Sequence, residues 1–205
     1  MYNGGSRSES AISLSRRMAR TEKASDEALI ERIARGDAQA MRLFFARHQI
    51  GVYRFARRLL DDHGTAEDVT SEVFLSVWRG ADGFRGHSSA STWLLAIARY
   101  KAISAARRRP DSILDECFSS IEDPSDDPEI AVQKKGRSEI IRGCLQRLSP
   151  KHREIVDLVY YHGKSIREVA EIVEAPESTV KTRMFYARQK LSQLLEAAGV
   201  DGAHP

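Results

Sequence analysis

A run of acids and prolines divides the chain near its middle. From Asp111 to Glu129 there are eight Asp or Glu residues and no Lys or Arg. Pro110, Pro124 and Pro128 flank or interrupt this stretch, and proline breaks a helix because it lacks an amide hydrogen and clashes with the preceding turn. We therefore expect two compact modules joined by a flexible acidic linker. Two roles remain open for the linker: a solvated spacer, or a nucleic-acid mimic that keeps DNA-binding modules from engaging DNA alone.

Helical periodicity dominates on both sides of the linker. Apolar residues recur at spacings of three and four, and no alternating strand pattern persists for more than a few residues. The predicted fold class is all-α, with two small helical domains, and 205 residues are enough for both. The predicted boundaries are a basic flexible tail at 1–24, a first module at 25–110, the linker at 111–131, a second module at 132–197 and a short tail at 198–205.

Capping residues and apolar spacing predict the helices of the first module. They are expected at 26–34, at about 37–60, from a cap at Thr65, and at about 92–109, where Ser91 or a neighbouring hydroxyl is the cap. The third helix is expected to bury Val69, Val73, Val77, Phe74 and Trp78.

Several classes of protein and site are disfavoured by what the sequence lacks. No apolar run approaches the roughly 18 residues that span a bilayer, so no membrane insertion is expected. Cys117 and Cys144 stand in no metal-binding motif, which indicates a reducing, cytoplasmic setting with no structural disulfide, metal site or cofactor. A redox switch between the two cysteines remains an alternative. His152 and His162 are expected at the surface.

The second module contains a predicted helix-turn-helix. Ser165 and Glu168 form a capping box that opens a short helix, Glu174-Ala175 turns the chain, and Pro176 starts the next helix. That second helix has an apolar stripe made of Val180, Met184, Ala187 and Leu191.

Phe185 lies on the opposite face of the same helix, among cations and hydroxyls. In a major groove it would press on a thymine methyl, while Lys181 and Arg183 would meet phosphates or guanine edges. Alternatively, Phe185 packs on another helix or on a partner.

Longer segments carry a resemblance to a known family. "AEDVTSEVFLSVWRGADGFRG" and "STWLLAIARYKAISAARRRP" resemble the second conserved region of bacterial sigma factors of the extracytoplasmic-function type. "LSPKHREIVDLVYYHGKSIREVAEIVEAPESTVKTRMFYARQKL" resembles their fourth conserved region.

This resemblance implies a dissociable subunit of bacterial RNA polymerase that is not an enzyme. The first module would bind the polymerase clamp and melt the promoter −10 element, and the second would bind the polymerase flap and read the −35 element as duplex. It also implies control by an anti-sigma factor, in a stress or envelope response.

The resemblance and the local chemistry together nominate three sets of residues. The expected polymerase-binding residues are Glu67, Asp68, Ser71, Glu72 and Leu75. The expected −10 residues are His87, Ser88, Ser89, Ser91, Arg99, Lys101, Arg107, Arg108 and Arg109. The expected −35 residues are Ser178, Thr179, Lys181, Thr182, Arg183, Phe185 and Tyr186. An acidic helix face suits a basic clamp, although Glu67 and Asp68 also fit as first-turn acids that favour the helix dipole.

Two competing classes explain less of the chain. A stand-alone helix-turn-helix regulator accounts for residues from Ser149 onward and leaves the first module without a role. An enzyme would need clustered acids or histidines, whereas the histidines here are scattered and no Gly-rich phosphate loop occurs.

Overall fold

The computed structural model describes residues 24–60, 62–108 and 140–199. Within those ranges every regular element is a helix, which confirms the all-α prediction. Residues 1–23, the acidic linker, Arg109, Cys117 and residues 200–205 lie outside the described residues, so the linker and the domain boundaries stay predictions.

The first module consists of four α-helices and one short 3₁₀ turn. They are α1 (Asp26–Ala34), α2 (Ala38–Leu59), α3 (His63–Gly80), the 3₁₀ turn (Ala81–Gly83) and α4 (Ala90–Arg108). The Asp37 carboxylate caps α2 by accepting hydrogen bonds from the amides of Gln39 and Ala40. The four helices enclose one apolar core, whose largest buried side chains include Leu29, Ile30, Ile33, Phe44, Phe55 and Leu94.

Two local predictions for α3 were wrong. The helix begins at His63, and its cap is Asp62, whose carboxylate accepts from the Thr65 amide at 2.7 Å and from the Thr65 hydroxyl at 2.6 Å. Asp62 precedes Thr65 in the chain, and its charged carboxylate is a stronger acceptor than the Thr65 hydroxyl. Asp62 therefore caps the helix, and Thr65 lies in its first turn. Trp78 is 39% exposed, so it is not part of the buried side of the helix.

The described part of the second module starts with residues 140–146, which are helical and are called α5 here. It continues with α6 (Pro150–Tyr160), α7 (Ile166–Val173) and α8 (Glu177–Ala197). Ser149 caps α6, with Pro150 at its first position. The buried Arg153 guanidinium donates to the carbonyls of Leu145 and Leu148, and so fixes α5 against α6.

Helices α7 and α8 form the predicted helix-turn-helix. Ser165 and Glu168 make both hydrogen bonds of the capping box at the start of α7. Glu174 ends α7 in the left-handed conformation, with φ 52° and ψ 50°. Of the predicted apolar stripe on α8, Val180, Met184 and Ala187 are buried, and Leu191 packs half-buried against the core.

The turn at Glu174 gives a prediction about stability. Glu174→Gly is expected to raise the free energy of unfolding by about 1 kcal/mol. The left-handed conformation costs a residue with a Cβ roughly 1–2 kcal/mol, and glycine avoids this cost. Part of the gain is offset because glycine has more conformational freedom in the unfolded chain. Urea denaturation measures the difference.

Glu171→Gly is the matched control, since Glu171 lies inside α7 with ordinary helical geometry. This change should lower the free energy of unfolding by about 1 kcal/mol. A loss of stability in both variants would contradict the role assigned to the turn.

Candidate promoter and polymerase interfaces

The outer face of α8 presents two aromatic rings to solvent. Phe185 is 63% exposed and Tyr186 is 54% exposed, and their ring centroids lie 5.5 Å apart in an edge-to-face arrangement. Lys181 lies one turn earlier, where its ammonium is 3.5 Å from the Glu177 carboxylate and both side chains are exposed. Since Phe185 is open to solvent, it does not pack into the described helices.

The other predicted −35 residues occupy the first turns of the same helix. Ser178 and Thr182 are exposed, whereas Thr179 and Arg183 are half-buried. The Thr182 hydroxyl donates to the Ser178 carbonyl at 2.9 Å, which leaves the hydroxyl oxygen free to accept. The seven residues therefore share one end of α8.

The predicted polymerase-binding residues lie together on the exposed side of α3. All five, Glu67, Asp68, Ser71, Glu72 and Leu75, are exposed. Glu72 also has an internal partner, the Lys101 ammonium of α4 at 3.4 Å, so an external cation is not the only explanation for its charge.

Beside this face, α2 and α3 form an open groove of about 610 Å³. Its lining residues are Gln49, Ile50, Tyr53, Glu67, Asp68, Thr70 and Ser71. The α2 side was missed from the sequence. A signal was present, because Ile50 is an apolar residue out of phase with the buried positions of α2, and it is 58% exposed.

The predicted −10 loop leads into α4. His87 is exposed, and Trp93 packs half-buried against Phe84 with ring centroids 5.2 Å apart. The Ser89 hydroxyl accepts from the Thr92 amide, so Ser89 is the cap of α4.

The hydroxyls at the start of α4 contact α7 of the second module. The Lys164 ammonium donates to Ser91 at 2.6 Å and to Thr92 at 3.1 Å. One Glu168 carboxylate oxygen accepts from Thr92 at 2.6 Å and from Ser89 at 3.0 Å. Burial opposes ionisation of Glu168, but hydrogen bonds from Thr92 and Ser165 and the charge of Lys164 outweigh it, and the pKa falls to about 2.

A second cluster joins the end of α2 to α6. Arg58 forms an ion pair with the buried Asp157, and its guanidinium stacks 4.0 Å from the centroid of the Tyr161 ring. His162 lies beside Asp157 at 3.5 Å and edge-on to Phe55. The surface position predicted for His162 is wrong, since its side chain is only 12% exposed. Burial, followed by the charges of Arg58 and Lys164, lowers the pKa of His162 to about 4.

The cations predicted to follow the −10 strand have different surroundings. Arg99 donates to Glu154 of α6 at 2.7 Å, and Lys101 pairs with Glu72. Arg107 and Arg108 are exposed at the end of α4. Arg99 is thus occupied by the second module, which the sequence did not indicate.

Other candidate sites are few. In residues 24–60, 62–108 and 140–199, no group of three His, Cys, Asp or Glu residues is placed to hold a metal ion. No helix of these ranges is both long enough and apolar enough to cross a membrane. Cys144 is a free thiol that is buried.

The depressed pKa of His162 predicts an acid-sensitive fold. In the unfolded chain this imidazole takes up a proton below its ordinary pKa of 6.5, whereas in the folded chain it resists until about 4. The stabilisation that comes from the neutral His162 is therefore complete above pH 6.5 and is lost as the pH falls toward 4. Between pH 8 and pH 5 the free energy of unfolding should drop by about 2 kcal/mol through this group.

His162→Gln should flatten this part of the pH profile when unfolding is followed by urea titration at each pH. His63→Gln is the control, because that side chain is 66% exposed. An unchanged profile in His162→Gln would mean that another group is responsible.

Comparisons with known proteins cover both modules. The model of sigma-70 region 2 matches residues 44–110, and the model of sigma-70 region 4 matches residues 138–191. The ECF RNA polymerase sigma factor SigK of Mycolicibacterium vanbaalenii is 32% identical over an alignment of 178 residues, and the match covers 85% of this chain and 89% of that protein. The ECF RNA polymerase sigma-E factor of Escherichia coli is 29% identical, over 86% of this chain and 97% of that protein.

Solved structures show the same similarity. CnrH, in complex with the cytosolic domain of CnrY, matches with a TM-score of 0.62 and 25% identity, over 85% of this chain and 99% of that one. The sigma factor RpoE in complex with the anti-sigma factor NepR, from Bartonella quintana, matches with a TM-score of 0.60 and 25% identity, over 74% of this chain and 94% of that one. The chain therefore belongs to the extracytoplasmic-function RNA polymerase sigma factors, the DNA-binding factors that direct transcription initiation.

Proposed function

We propose that this chain brings core RNA polymerase to two-part promoters, with α8 reading the −35 element as duplex DNA. The observation that carries this assignment is the exposed pair Phe185 and Tyr186, held beside Lys181 on a recognition helix. Aromatic edges fit the thymine methyl in the major groove, and a neighbouring ammonium fits a phosphate.

The −10 element is assigned to the first module. The loop from His87 to Ser91 offers hydroxyls to the edge of a flipped nontemplate base, and α4 offers Arg99, Lys101 and the Arg107–Arg109 run to the strand. A base removed from the stack needs polar partners for its edge, and a separated strand needs cations for its phosphates.

Polymerase docking is assigned to the groove between α2 and α3. Its acids, Glu67 and Asp68, complement a basic clamp helix, and exposed Ile50 supplies an apolar contact beside them. The second module is proposed to bind the polymerase flap.

We infer that an anti-sigma factor controls this chain, as one does for RpoE of Bartonella quintana. The role is non-enzymatic, the location is the cytoplasm, where bacterial polymerase works, and the response is one to stress or to envelope damage. The alternative of a stand-alone regulator predicts binding to duplex DNA without polymerase, which separates the two functions experimentally.

Substitutions on α8 test the −35 assignment. In transcription from a pool of random promoters with core polymerase, Phe185→Ala should cost on the order of 1–3 kcal/mol at one −35 position, because one base loses its apolar contact. Lys181→Ala should instead weaken all promoters alike and flatten the salt dependence, because a phosphate contact carries no sequence information.

Both variants should bind core polymerase as the parent chain does, measured by fluorescence anisotropy. If Phe185→Ala used every promoter normally, the exposed ring would belong to a protein contact instead.

A substitution in the groove tests polymerase docking. Ile50→Ala should weaken binding to core polymerase by about 1–2 kcal/mol, because a partly buried apolar contact is lost from the interface. Anisotropy titration of labelled full-length protein with core measures this change. Gln39→Ala, an exposed position of α2 three turns away, is the control and should bind normally. Equal affinities of the parent chain and both variants for core polymerase would mean that the polymerase clamp binds a different surface of this chain.

A further inference from the structure

The groove between α2 and α3 combines apolar side chains with acids. Ile50 and Tyr53 line it from α2, Glu67 and Asp68 line it from α3, and none of its lining residues is a lysine or an arginine. Ile50 is 58% exposed, and water contact with an apolar side chain is unfavourable. The chemistry that fits this groove is therefore a segment that carries both apolar side chains and cations.

The chain itself contains a segment with that chemistry, ahead of the first helix. From Ala11 to Arg20 the sequence reads AISLSRRMAR, with three arginines and no acid. The same ten residues include the apolar side chains of Ile12, Leu14 and Met18. The segment therefore complements the groove both in charge and in apolar character.

This segment enters the first module beside the groove. The Ala24 carbonyl accepts from the Arg47 guanidinium of α2 at 2.7 Å, and the Asp26 carboxylate accepts from the same group at 2.9 Å. Ile50 lies three positions after Arg47, which is about 4.5 Å along the helix axis. Four extended residues span about 13 Å, so the chain between Arg20 and Ala24 is long enough to bring residues 11–20 to the groove.

We propose that residues 11–20 dock in the α2–α3 groove of their own chain, with the three arginines toward Glu67 and Asp68. Docking there covers the surface assigned to the polymerase clamp, so the segment competes with polymerase from within the chain. A short tether holds the segment at an effective concentration on the order of millimolar, so weak contacts are enough to occupy the groove. The competition rests on the proposed function of the groove, whereas the docking itself does not.

Photo-crosslinking within the full-length chain tests the docking without polymerase. Met18→p-benzoylphenylalanine puts a photoreactive ring in the middle of the segment. After irradiation of a dilute sample, the monomer fraction is digested and its crosslinked peptides are identified by mass spectrometry. Crosslinks to residues 49–53 and 67–71 are expected. Tyr2→p-benzoylphenylalanine, outside the segment, is the control and should give these crosslinks in lower yield.

Charge reversal tests the pairing of arginines with acids. Adding Arg16→Glu, Arg17→Glu and Arg20→Glu to the crosslinking chain should lower the yield at least about fivefold, because acids then face acids. Adding Glu67→Arg and Asp68→Arg as well should restore the yield. Circular dichroism confirms that each variant keeps its helices.

Anisotropy titration with core polymerase tests the competition. The chain with the three arginines reversed should bind core polymerase at least about threefold more tightly than the parent, because apparent affinity scales with the fraction of unoccupied grooves. A basic segment that contacts polymerase or DNA directly predicts the opposite sign. Arg7→Glu, a charge reversal outside the segment, is the control and should bind as the parent does.

The outcomes separate this inference from the proposed function. Crosslinks from Met18 to residues 111–129 in place of the groove would mean that the basic segment pairs with the acidic linker, and would overturn the docking. A yield that reversal leaves unchanged would overturn it too. If the crosslinks behaved as expected and Ile50→Ala weakened polymerase binding, but arginine reversal did not strengthen it, the competition would be overturned. If neither substitution altered polymerase affinity while the crosslinks persisted, the proposed clamp site would fail and the docking would stand.

Discussion

The Glu168 carboxylate links the local geometry of the helix-turn-helix to the arrangement of the whole molecule. One oxygen closes the capping box at the start of α7 by accepting from the Ser165 amide, and the other accepts from Thr92 and Ser89 of the first module. Its pKa of about 2 keeps this group charged at any physiological pH. Because α8 follows α7 through a tight turn, the contact that orients α7 also sets the direction in which Phe185 faces.

Structural features that depend only on contacts between residues within about four positions of each other were predictable from the sequence. The start of α6 at Ser149-Pro150 and the capping box of α7 depend only on neighbouring side chains and backbone amides. The apolar stripe of α8 was also correct, because one helical period fixes which positions face the core. The cap of α3 failed where two acceptors competed: Asp62 and Thr65 both fit the pattern, and the charged group prevailed.

Contacts between the modules were not predictable. Lys164 and Ser91 are 73 positions apart, and nothing in either local pattern indicates the other. His162 looked like a surface residue because it ends a helix before Gly163, yet Phe55 and Asp157 enclose it from two different helices. Such burial depends on how finished helices pack, which single-sequence periodicity does not encode. The sequence therefore nominated a set of candidate residues, which stays a prediction, and it did not indicate their internal partners.

Those internal partners change how the binding residues should be understood. Arg99 is paired with Glu154, so a phosphate would have to displace that carboxylate to use the same guanidinium. The net free energy of binding a phosphate would then be less favourable than for an unpaired arginine. The α2–α3 groove includes neither Arg99 nor Glu154 and is open to solvent, so it is accessible to a partner while this ion pair is intact.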